Sequence, residues 1–447
     1  MALIDVRQGP LTAVTVSEEV TPGVDTAITA SFLAPLNAKS AVKATQSPIE
    51  IPLFTGDRTM NASTWGDIMA GGALPLDFDF LFSGRILTYF FGRGNYTRPG
   101  GGSTKLHRWT NSSGSTATPS YVQVENQFSQ ATAQYIRHRG VRVDSLAFKQ
   151  NLKGAVTYQA QMMGVGDIQT TSLVPTTVAS VTNDGPFLVP NYYNGLCFIN
   201  GVLCNPIDFG LTLSNNLSRA DAAFLAGQAA NINFGKMSGK GNLALLFATD
   251  GALAESNLTF FSYAKNQTPI KVEWWIFDAP TAGAWTKYFR IRAWVNFFLD
   301  SETAGGAEQR STNQQYMIAS SPSCVWSGEI IAPAPGPYTL PATPNLGVKV
   351  DGGGTVTTAL TAGSQTATQI ATALNAAGPF TAVATADVVA GALRIVSKTT
   401  GAASSVQIDG AVANTAHTAI GFNTVSQVGY AATSVIGDLL GSLGATY

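Results

Sequence analysis

The sequence predicts a mainly β protein that ends in a small α+β domain. Three observations carry this. Short alternating or apolar runs recur between Gly, Pro, Asn and Ser clusters from about residue 47 to 323, the pattern of a sandwich or barrel. Helical periods are scarce over that stretch. Past a Pro-rich stretch at 326–343 the composition shifts to Ala, Thr, Val and Gly with few aromatics.

Residues 1–47 read as an extended arm, with Pro10, Pro22 and Pro35 punctuating short Val/Thr/Ala runs. Strands follow at Ile49–Leu53, Tyr121–Val124, Val141–Asp144, Ala155–Tyr158, Leu243–Phe247, Ile270–Ile276 and Phe289–Val295. Trp65–Met69 and Arg219–Leu225 are candidate helices, and Phe80–Phe91 is apolar without a decisive period. Pro119, Gly140, Lys153-Gly154 and Gly164 recur at a constant offset as Pro206, Gly227, Lys240-Gly241 and Gly251. This predicts two tandem β domains, 48–181 and 182–325. Residues 326–343, with the core Ala332-Pro333-Ala334-Pro335-Gly336-Pro337, read as a stiff linker. A separate domain at 344–430 follows. Its helix opens on the capping box Thr366-Ala367-Thr368-Gln369 and stops at Gly378-Pro379. Strands are expected at Thr381–Ala384, Leu393–Val396 and Ser405–Ile408. The tail, 431–447, reads as weakly apolar and loose.

The chain has 447 residues, 45 % hydrophobic and only 12 % charged, with 26 Lys+Arg against 27 Asp+Glu and a net charge of -1. That excludes a disordered chain and a protein that grips nucleic acid, and it favours association. Cys197, Cys204 and Cys324 are too few for a disulfide scaffold and read as small buried hydrophobes. The N-terminus lacks a signal-peptide pattern, and the long charge-free run between Asp351 and Asp387 is too polar to span a membrane. The protein is read as soluble and made in a cytoplasm.

The search for chemistry finds none. Gly235-Lys236-Met237-Ser238-Gly239-Lys240-Gly241 is one residue short of a phosphate-binding loop and ends in Gly where a hydroxyl is needed. His107, His138 and His417 lie apart, away from any Cys pair, and His107 and His138 read as surface residues. Asp77 and Asp79 read as the polar face of a half-buried strand. Trp274, Trp275, Trp285 and Trp294 read as core or subunit contacts, since basic residues do not interleave with them. No catalytic, cofactor-binding or metal residues are assigned, no cofactor is expected, and the chain is read as non-enzymatic.

The stretch Gly140-Val141-Arg142-Val143-Asp144-Ser145-Leu146 through Lys153-Gly154-Ala155-Val156 resembles the major tail tube protein of tailed bacteriophages. So does Leu211-Thr212-Leu213-Ser214-Asn215-Asn216-Leu217, followed by Gly227 and the hairpin through Gly251. The resemblance covers about 48–323, and 344–430 resembles insert modules of flagellar and hook-associated proteins. It implies tandem tail-tube-type β-sandwich or barrel domains. Rings would stack into a virion tail tube, assembled in the host cytoplasm, as the conduit for genome ejection. Implied partners are further copies of the chain, as a trimeric pseudo-hexameric ring or else a hexamer. The tail terminator, tape measure and tail-tip proteins are also implied. Genomic DNA passes without specific binding, and no membrane is involved. The arm and the Gly-rich loop at 92–119 become ring-to-ring staples, and 344–430 an outward decoration. Rival readings are a capsid or baseplate component, or a secreted flagellar or adhesin-like surface protein.

Overall fold

The computed structural model describes residues 11–19, 31–38, 40–51, 62–92, 96–97, 105–111, 120–128, 134–151, 154–171, 194–204, 206–221, 229–246, 263–279, 284–298, 311–319 and 324–441. Antiparallel ladders dominate, and one sheet of 17 strands runs through residues 11–318 and returns at Val435–Gly441. The chain is mainly β, as its pattern predicts.

The sheet contains the same ladder twice. In the first copy Ser31–Leu33 pairs with Leu11–Glu18, then in turn come Val122–Phe128, Gln134–Asn151, Thr157–Thr171, Ala62–Asp77 and Lys43–Ile51. In the second, Val202–Cys204 pairs with Gly195–Ile199, followed by Ile270–Phe277, Tyr288–Phe297, Ser311–Ile318, Ser238–Leu246 and Pro206–Ser214. The strands come in the same chain order in both, and a helical segment follows the fourth strand in each, Phe80–Phe91 and residues 263–266. The constant-offset matches do not mark these equivalences. Gly154 sits between two long strands, whereas Gly241 lies within Ser238–Leu246. Equivalent strands begin instead at Val122 and Ile270, or at Gln134 and Tyr288.

Local chemistry explains most elements. Phe80–Phe91 is apolar almost all round, so it is a buried helix. Asp79 caps it, its carboxylate accepting from the Phe82 N–H at 2.8 Å, and Gly92 ends it at φ 84°. Asp79 is therefore not part of a strand face with Asp77, which ends the strand Ala62–Asp77. Asp79→Ala is expected to lower unfolding free energy by about 1 kcal/mol, measured by urea denaturation. Trp65–Met69 is strand, not helix, because it lies within Ala62–Asp77 and pairs with Lys43–Ile51. Arg219 lies in a hairpin strand, Ser218–Asp221, and residues 222–225 fall outside the described ones. Gly140 holds φ 62° at a bulge, and its N–H donates to the Glu19 carboxylate at 3.0 Å. That contact ties part of the arm to its own chain, with Val14 and Val16 buried beside it.

Residues 329–430 form small sheets with helices Ala367–Ala376 and Gly378–Val383. The Thr366 capping box is present as read. Pro379 starts a second helical turn, so Thr381–Val383 is helical and the next strand begins at Ala384. Within 326–343, Glu329–Ile331 pairs with Ala392–Ser397, and Tyr338–Leu340 with Gly363–Gln365. The tail is not loose throughout: Val435–Gly441 pairs with Tyr288–Phe297 on one side and Lys105–Thr110 on the other.

Candidate assembly surface

Seven neighbouring strands form a continuous wall across both copies of the ladder. In order they are Ala62–Asp77, Thr157–Thr171, Gln134–Asn151, Pro206–Ser214, Ser238–Leu246, Ser311–Ile318 and Tyr288–Phe297. The copies join where Ser145–Asn151 pairs with Asp208–Ser214. Side chains alternate across the wall in unbroken rows. One row, Leu76, Tyr158, Phe148, Leu211, Gly241, Tyr316 and Phe297, faces the main core. Gly241 is required there. A Cβ would lie 2.2 Å from the Gly210 carbonyl oxygen and 2.4 Å from the Tyr316 ring, whose hydroxyl donates to that carbonyl at 2.8 Å. Gly241 thus serves strand packing.

The opposite rows are mostly polar. They run Pro75, Gln159, Ala147, Thr212, Lys240, Met317, Asn296, and Asp77, Thr157, Lys149, Gly210, Asn242, Gln315. An open trough of about 840 Å³ follows this face. Its charged lining is Lys149, Lys240 and Asp208.

The residues singled out from sequence are scattered through the packing. His107 and His138 are buried, not on the surface. His107 stacks near Trp109, and Asn126 Nδ2 lies 3.3 Å from His138 Nε2. The three cysteines are buried and form no disulfide, and burial raises the Cys197 thiol well above its ordinary value. Trp274, Trp275 and Trp285 are buried, and Trp294 packs against Trp326. Among the described residues no group of His, Cys, Asp and Glu could hold a metal ion, and no helix is long and apolar enough to cross a membrane.

Sequence reasoning missed a buried ion network. It lies between the body and the unit at 329–430. Arg292 bonds Glu329 and Asp438 at 2.7 Å each, and Arg108 bonds Asp438 at 2.5 Å. Arg290 pairs with Glu329 and, at 2.8 Å, with Glu273. Arg394 reaches Glu273 at 3.6 Å and binds Asp387 at 2.5 Å. Burial alone would raise the Asp438 carboxyl. Arg108, Arg292 and Arg290 outweigh it and hold that carboxyl below its usual range. Burial likewise opposes the ionisation of Glu273 and Glu329, and the neighbouring arginines outweigh that and hold both carboxyls below their usual range. Carboxyls depressed in the folded state stabilise it above their unfolded pKa of about 4, and that stability is lost as pH falls further. Urea titrations across pH are expected to show the steepest loss of stability below about pH 4.

The network ties the body to the unit at 329–430. No curated protein sequence matches the chain. A model of the phage tail tube protein family matches residues 9–319, which takes in both ladders. By that match, the chain belongs to the phage tail tube protein family.

Proposed function

We propose that this chain is the major tail tube subunit. Three copies close into a ring, rings stack head to tail, and the polar face of the seven-strand wall lines a bore for genomic DNA. The observation that carries this reading is the repeated ladder in a tail tube chain. Two β units per chain, with strands within 11–171 and 195–318, give six per ring from three chains. Ring closure satisfies strand edges that would otherwise invite runaway pairing, and axial stacking does not close, so a filament grows. A bore wall that carries few charges, of both signs, suits a sliding polyanion, because each phosphate neutralised by a strongly basic wall would add affinity. The unit at 344–430 is then an outward decoration. It packs near the Tyr288 end of its strand, while the bore face uses the Asn296 end. Tail terminator, tape measure and tail-tip proteins are the partners such a tube requires. Negative-stain microscopy of purified protein is expected to show tubes of uniform bore, with three chains per ring by native mass spectrometry. Sheets or shells would overturn the tube, and six chains per ring would overturn the trimer.

A further inference from the structure

We infer that the ring closes by main-chain pairing between the outer edge of Lys43–Ile51 in one copy and the C-terminal end of Tyr288–Phe297 in the next. This rests on the ring reading above and names the edge that makes it.

The chain contains the template. Its halves meet where Ser145–Asn151, the end of a long strand in the first ladder, pairs with Asp208–Ser214 in the second. Each of these strands has a counterpart in the other ladder. Pro206–Ser214 holds the place that Lys43–Ile51 holds in the first: outermost, bonded to the strand that precedes the helical segment. Tyr288–Phe297 holds the place of Gln134–Asn151. In the first half the ladder to Val122–Phe128 ends at Val141, while the ladder to Thr157–Thr171 continues through Lys149. The continuing piece is where Asp208–Ser214 docks. In the second half the ladder to Ile270–Phe277 ends at Val295, while the ladder to Ser311–Ile318 continues through Phe297. The equivalent dock therefore takes the strand equivalent to Pro206–Ser214, which is Lys43–Ile51, at its N-terminal end, where the registers match Ala44 with Leu213 and Thr45 with Ser214. Those two edges lie at opposite ends of the sheet. A second copy must supply the partner, and a head-to-tail contact of this kind makes a ring when its rotation closes.

The edge is suited to it. Ala41 donates inward to Ala73, and the register places Lys43 opposite Gly71. Alternation then turns the main-chain groups of Ala44 and Gln46 outward. Val42 is already served, its carbonyl accepting from Asn126 and its N–H donating to Ser40 Oγ. Pro48 fits only an edge strand or bulge, and a bulge lies between Gln46 and Pro48. Large apolar side chains are exposed beside both edges: Met69 near the first, Phe298 and Met317 near the second.

Two variants test this. In Ala44→Cys/Phe298→Cys, a short bismaleimide applied to assembled tubes is expected to give covalent oligomers ending at three chains on a denaturing gel. The native cysteines are buried and do not compete. Tubes that form normally yet give no cross-link would overturn the edge assignment and leave the tube reading intact. Ala44→Pro removes one outward N–H and is expected to keep the thermal midpoint of the free chain. Its assembled fraction is expected to fall about tenfold or more. Normal assembly of Ala44→Pro would also overturn the assignment. Absence of any tube from the unmodified protein would defeat the ring reading and this one together.

Discussion

Asp438→Asn is expected to lower the unfolding free energy by about 3–5 kcal/mol, measured by urea denaturation of unassembled protein at neutral pH. The substitution keeps the shape and removes the charge. Asp438 is the carboxylate between Arg108 and Arg292, at 2.5 and 2.7 Å, with Arg290 at 3.7 Å. All four side chains are almost fully buried. Losing the anion leaves three guanidinium groups out of water, with Glu329 and Glu273 as the remaining counter-charges. Replacing Asp387 is a useful contrast, because its carboxylate is half exposed and binds Arg394 at the rim. Asp387→Asn is expected to change stability by less than about 1 kcal/mol. Equal losses for the two variants would show that burial does not govern this network.

The network also shows where the sequence stops being legible. Ile270–Ile276 and Phe289–Val295 are plain in the sequence because their side chains alternate, and both strands are present. Alternation reports that a strand has two faces; it does not report what covers the second. Glu273, Arg290 and Arg292 have the pattern of a solvent face, yet the unit at 329–430 lies on them. Trp275, Phe277 and Tyr288 share that face, in one apolar cluster with Leu346, Ile395 and Leu440. Partners as distant as Arg108 and Asp438 leave no local trace. The Thr366 capping box was readable because its partner lies three residues away. Asp79 is ambiguous in the sequence for the opposite reason: its alternation with Asp77 continues a strand pattern, while its bond to the Phe82 N–H begins a helix. Glycine spacing suggested a repeat, but the repeat is a matter of ladder order. Strand order conserves edges and faces, and loops of unequal length erase a constant offset.

The return of the chain through Val435–Gly441 makes 329–430 an insertion, and this yields a prediction with opposite outcomes for two deletions. Ending the chain after Trp326 removes the strand that bridges Tyr288–Phe297 and Lys105–Thr110, together with Asp438 and Glu329. Arg108, Arg290 and Arg292 would then share Glu273 alone, and the truncated chain is expected to be insoluble or to melt without a cooperative transition. Replacing residues 327–429 with Asn-Gly removes nearly as much mass but keeps the strand. Trp326 and Tyr430 exchange N–H to carbonyl bonds at 2.8 and 3.1 Å, a pair suited to a two-residue turn. Asp438 stays between Arg108 and Arg292, so the excised chain is expected to fold, with cooperative melting and unchanged tube diameter at the bore. It is also expected to be less stable than the parent. Glu329 is gone, and Trp275, Phe277, Trp285 and Tyr288 lose their cover. Polar substitutions at Phe277 and Trp285 should then improve solubility in the excised chain and harm the intact one. Equal behaviour of the two deletions, judged by solubility and thermal melting, would mean that the last strand is not integral to the body.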